Sequence, residues 1–87
     1  MKRAGLFDAE WYRRQYTDVE QTGKDPCMHY LRYGAAEGRN PGPHFNTRWY
    51  LSRYPDVVAS GMNPLVHYLR IGRREGRLAL PPQSAHG

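Results

Sequence analysis

One cysteine, Cys27, is too few for a disulfide within the chain, so the cross-linked framework of many small secreted domains is excluded. Apolar runs are equally scarce. None approaches the roughly 20 residues that a membrane-spanning helix needs. The opening Met-Lys-Arg-Ala-Gly-Leu-Phe-Asp has two basic residues but no apolar stretch behind them, and does not read as a secretory signal. No block of like charges is long enough to mark a disordered tail. Nowhere does the pattern alternate with period two for long enough to make a strand. A glycine-rich phosphate loop, a zinc spacing and a nucleophile elbow are all missing. These absences lead to the expectation of a soluble, cytoplasmic, all-α protein that is not an enzyme and needs neither cofactor nor metal.

What the chain does have is aromatics: seven Tyr, two Trp and two Phe among 87 residues. Aromatic side chains bury a large area each, so a few can build a core in a short chain. The net charge is +5, supplied mostly by arginine.

The strongest signal is a repeat. Shifted by 38 positions, residues 6–43 and 44–81 are identical at 17 of 38 places without a gap. Recurrence at such a period marks a repeat architecture. Two tandem helical units are expected, 6–43 and 44–81, with 82–87 as a disordered tail.

Within each unit, Asp8 or Asn46 is an N-cap type, and Phe7 or Phe45 stands where a hydrophobic staple would place it. Trp11, Tyr12, Tyr16 and Val19 share a helical stripe, matched by Trp49, Tyr50, Tyr54 and Val57. The first helix is expected to end near Tyr16 and Tyr54, since Pro55 cannot lie in a helix interior. A short turn then closes at Gly23 and Gly61. Asp25 and Asn63 cap the next helix, with Pro26 and Pro64 in its first position. Its apolar stripe reads Cys27, Tyr30, Leu31 and Leu65, Tyr68, Leu69, and Gly34 and Gly72 are expected to end it in the left-handed conformation. The predicted repeat core is therefore Trp11, Tyr12, Tyr16, Tyr30 and Leu31, with Trp49, Tyr50, Tyr54, Tyr68 and Leu69. Asn40-Pro41-Gly42-Pro43 is a short, stiff joint, so the units should stack.

The pattern Phe-Asp-x-x-Trp-Tyr-x-x-x-Tyr-x-Asp-Val, then Gly-x-x-Pro, then His-Tyr-Leu-x-x-Gly-x-x-Glu-Gly-Arg resembles a bacterial repeat. Such repeats accompany glycosyltransferases, including rhamnan-synthesis-type proteins of cell-surface polysaccharide pathways. Similar units stand beside sulfotransferases and in large repetitive surface proteins. The resemblance covers residues 6–80 and implies a helical repeat module working with a glycosyltransferase. The first unit departs from the pattern at Thr17, where proline is usual, and at Cys27, where the second unit has Leu65.

Possible chemistry is best weighed against structure. His29 and His67 occupy equivalent positions and read as packed helix residues making one hydrogen bond each; a metal site would want three or four clustered ligands. His44 and His86 lie in joint and tail. Cys27 on the apolar stripe reads as packing, not as a nucleophile. Asp18, Glu37 and Arg39 recur as Asp56, Glu75 and Arg77, and a set duplicated in step with the core reads as an ion-pair network. The candidate interaction surface is Arg13, Arg14, Arg48 and Arg53, with Tyr33, Arg73 and Arg74. Arg73-Arg74 replaces Ala35-Ala36, so the second unit is the more basic. The leading expectation is binding to a protein partner. The alternative is a polyanion, nucleic acid or acidic glycan, although no nucleic-acid motif accompanies the arginines. Two units are few for a stacked array, so association through the end faces is also expected.

Overall fold

Phe7 packs its ring 5.8 Å from that of Tyr12, and Phe45 does the same to Tyr50 at 5.1 Å. These staples open each unit of the computed structural model, which describes residues 6–82. The side chain of Asp8 accepts a hydrogen bond from the Trp11 amide (3.0 Å), and Asn46 accepts one from that of Trp49 (2.9 Å). Each satisfies an amide that the first helical turn leaves without a partner.

Helix α1 (Ala9–Gln15) breaks at Tyr16 and restarts as α2 (Thr17–Thr22), which closes on Gly23 in the left-handed region. Helix α3 (Pro26–His29) follows, capped by Asp25, and widens into a π-helical segment, Tyr30–Gly34. The second unit repeats this order 38 residues on. It comprises α4 (Thr47–Arg53), α5 (Pro55–Ser60), α6 (Pro64–His67) and a π-helical segment, Tyr68–Gly72. The protein is all-α. The described residues contain no sheet, only an isolated bridge between Gly42 and Phe45.

Each unit is tied end to start. The Asp8 amide donates to the Pro41 carbonyl (3.0 Å), and the Asn46 amide donates to that of Ala79 (2.9 Å). The joint also holds the units together, because the Thr47 amide donates to Asn40 Oδ1 at 2.8 Å.

The core is aromatic. Tyr12, Tyr30, Tyr50 and Phe45 are fully buried, with Val19, Val57 and Leu65 around them. Burying a side chain such as Phe45 contributes about 1.5–3 kcal/mol. Tyr12 and Tyr30 meet edge to face at 6.0 Å, as do Tyr50 and Tyr68 at 5.8 Å. Trp11, Tyr16, Trp49, Tyr54 and Tyr68 are half-buried around this centre.

Two expectations are corrected. Leu31 is 41% exposed and Leu69 36%, so neither is core, and Cys27 is exposed as well. The buried stripe instead runs through Pro26, Tyr30 and Gly34, every fourth residue. A π-helix takes more residues per turn than an α-helix, which favours that spacing. Gly34 and Gly72 are also not left-handed; among the described residues, those with positive φ are Gly23, Gly38, Gly61 and Gly76. Gly34 is small for a different reason. A Cβ there would collide with the Tyr12 hydroxyl, as one on Gly72 would with that of Tyr50. Residues 83–87, including His86 and most of the expected tail, lie outside the described residues, as do residues 1–5.

Candidate functional site

The recurring polar residues serve the units themselves. Tyr12 brings its hydroxyl 3.0 Å from His29 Nδ1, and Tyr50 brings its own 2.9 Å from His67 Nδ1. Burial pushes both phenols up to about 12. Each bond occupies one ring nitrogen of its histidine and ties it to the buried tyrosine of the same unit. Among the described residues no three His, Cys, Asp or Glu side chains cluster closely enough to hold a metal ion.

Arg39 forms a two-pronged bond to Asp18 (3.0 and 2.9 Å), and Arg77 forms the same bond to Asp56. Arg39 also meets Glu37 at 2.9 Å, and Arg77 meets Glu75 at 3.0 Å. Each guanidinium lies 4.7 Å over a ring, Tyr16 or Tyr54. The bonds from Arg39 and Arg77 hold the Asp18 and Asp56 carboxyls below their ordinary value. Both clamps link α2 or α5 to the end of its own unit. Cys27 is exposed, but partial desolvation, and secondly the charge of Asp25, raise its thiol above the ordinary value. A raised thiol is a poor nucleophile at neutral pH.

The arginines do not gather on one face. Arg13 and Arg14 lie together on the outer face of α1, within reach of Glu20 (3.6 Å) and Glu10 (3.9 Å). Arg53 lies over the Tyr54 ring at 5.2 Å. Arg48 sits at the joint, with Nη2 3.5 Å from the Glu37 carbonyl. Arg73 and Arg74 are exposed at the far end of the second unit. Tyr33 is exposed beside His29, their rings 5.6 Å apart, in a small hollow with Lys24 and Arg32.

The feature that sequence reasoning missed lies between the units. A groove of about 280 Å³ runs along the junction. Leu31, Ala35 and Ala36 form one wall, and Leu51, Val58 and Met62 the other. Ala35 is buried there, yet Val58 remains 60% exposed. Arg32 stands on the rim, and among the described residues no carboxylate pairs with it. A signal was present in the sequence. Leu51, Val58 and Met62 replace Arg13, Glu20 and Lys24 at the 38-residue offset.

No protein-family profile matches the chain, and neither a curated protein nor a solved structure is significantly similar to it. Among the described residues, no helix is long and apolar enough to cross a membrane.

Proposed function

We propose that the chain is a non-catalytic helical repeat module that binds a protein partner in the groove between its units. The groove is the observation that carries this reading. Large aliphatic side chains stay exposed on both of its walls, in a small protein whose other polar clusters are satisfied internally. Its chemistry suits an apolar segment flanked by acidic residues, because Arg32 lines the rim and Arg48 lies beside it. The resemblance of both units to repeats that accompany glycosyltransferases supports a cytoplasmic role in cell-surface polysaccharide assembly. The partner would then be a glycosyltransferase or another protein of that machinery.

The test is to place a photo-cross-linker at position 58, identify the protein captured, purify it and measure its affinity. Leu31→Glu and Val58→Glu are each expected to weaken binding by about tenfold or more, the equivalent of 1.4 kcal/mol. Their thermal melts should stay near wild type, since both side chains are exposed. Unchanged affinity in both variants would overturn the groove assignment. Binding instead to nucleic acid or an acidic glycan, collapsing steeply as salt rises, would favour the polyanion alternative.

A further inference from the structure

We infer that the two outer faces of the array are caps that reject the stacking of a second copy. The junction between the units shows the stacking geometry, and each outer face departs from it. At the junction the first unit presents Leu31, Ala35, Ala36 and Asn40, and the second presents Thr47, Arg48, Leu51 and Val58. Because the two units share one fold, the outer faces hold the same positions shifted by 38 residues. The far end of unit 2 presents Leu69, Arg73, Arg74 and Leu78. The near end of unit 1 presents Ala9, Glu10, Arg13 and Glu20.

Each junction contact becomes unfavourable when the outer faces are paired in the same way. Ala35 and Ala36 flank Leu51. Their equivalents would set Arg73 and Arg74 against Arg13, like charges in a desolvating contact. Arg48 approaches the Glu37 carbonyl and lies across Gly38. Its equivalent is Glu10 facing the Glu75 carbonyl, two acceptors with no donor. The Thr47 amide donates to Asn40 Oδ1, and Thr47 Oγ1 lies 2.9 Å from the buried Tyr30 hydroxyl. The equivalents Leu78 and Ala9 have no side-chain polar atom to make either bond. The acids on that face each have an arginine of their own face beside them, Glu20 with Arg13 at 3.6 Å and Glu10 with Arg14 at 3.9 Å.

The pattern is specific. Residues that bond or pack within a unit are often the same in both copies, as at Tyr12/Tyr50, His29/His67 and Arg39/Arg77. Several positions that face a neighbouring unit differ: Ala35, Ala36, Leu51 and Val58 at the internal junction stand where the outer faces carry Arg73, Arg74, Arg13 and Glu20, although Leu31 and Leu69 are the same. A head-to-tail interface would otherwise grow into an open filament, because its two faces are different surfaces. Charged end faces are a known device against that outcome in repeat proteins. The sequence-based expectation of association through the end faces is therefore replaced by its opposite.

Sedimentation velocity of two complementary variants tests this. One carries Ala9→Thr, Glu10→Arg, Arg13→Leu, Glu20→Val and Lys24→Met, giving unit 1 the inner face of unit 2. The other carries Arg73→Ala, Arg74→Ala and Leu78→Asn, giving unit 2 the inner face of unit 1. Wild type and each variant alone are expected to be monomers across the micromolar range. An equimolar mixture of the two variants should shift to a 1:1 dimer and stop there, because its outer faces remain charged. Circular dichroism verifies folding, and every substitution uses the residue found at the matching position of the other unit. If either variant fails to fold, the wild type decides alone. A wild-type chain that self-associates, and loses that association on Arg73→Ala and Arg74→Ala, would overturn the inference. So would two folded variants that remain monomeric when mixed.

Discussion

The Tyr12 hydroxyl stands over Gly34 and lies 3.0 Å from His29 Nδ1, joining α1 to α3 through His29 and to the π-helical segment at Gly34, where there is no side chain. Tyr50, Gly72 and His67 repeat the arrangement. The first prediction follows from it. Gly34→Ala should destabilise the protein by about 1–3 kcal/mol, the usual cost of overpacking a filled core. Tyr12→Phe removes the oxygen that the new methyl would strike. The double variant should therefore be more stable than the sum of the two single changes implies, measured as a coupling in denaturant melts. Strict additivity would show that the hydroxyl is not what excludes a side chain at residue 34.

His67 is buried, whereas His29 is half-buried. His67→Ala leaves the Tyr50 hydroxyl without its partner in a closed site, at a cost of about 1–3 kcal/mol for the unsatisfied group alone. His29→Ala should cost less, because water can reach Tyr12 in its place. Urea melts of the two variants compare them directly, and equal losses would contradict the difference in burial.

The tyrosines give a spectroscopic check. Tyr12 and Tyr50 are pushed up to about 12 by burial, and Tyr30 is raised too, for the same first reason. In the native protein these three of the seven phenols should ionise late, whereas in urea all seven should ionise near pH 10. A raised folded value means that the stabilising effect is fully present below about pH 10 and is lost as pH rises toward 12. A single native titration step near pH 10 would contradict the buried core.

The clamps act at the other end of the scale. Arg39 and Arg77 hold Asp18 and Asp56 below the ordinary 3.8. A lowered folded value contributes stability above pH 3.8 that disappears as pH falls through the folded value. Wild type should therefore lose stability in acid more steeply than a variant carrying Asp18→Asn and Asp56→Asn. The effect should be small, because the carboxylates are exposed to solvent. Parallel acid limbs in thermal melts from pH 5 to 2 (roughly the range over which such carboxylates titrate) would show that the clamps add nothing.

Local structure was the most legible part of the chain. Asp8, Asn46, Asp25 and Asn63 all cap helices, Pro26 and Pro64 take first positions, and Gly23 and Gly61 close short turns in the left-handed region. Each depends on neighbours within four residues, so the chemistry is visible in the sequence. Leu31, Leu69 and Gly34 were misread because a π-helical segment shifts the buried face. Nothing in the spacing of Cys27, Tyr30 and Leu31 announces that widening.

The junction was partly legible. The exchange of Ala35-Ala36 for Arg73-Arg74 stood out in the alignment of the two units. Its meaning did not, because which residues face a neighbour depends on how the units stack. The groove needs walls from both units, with Leu31 on one side and Val58 on the other, 27 positions apart in the chain.

The sequence by itself determined the period, the helical class, the caps and the recurring Tyr, His, Asp and Arg set, because these follow from local propensity and from duplication. Only the tertiary structure decided that Tyr12 occupies the space above Gly34, that His29 and His67 are partners of buried tyrosines, and that an apolar groove opens between charged ends. Those are contacts across turns and between units, set by packing in three dimensions rather than by spacing along the chain.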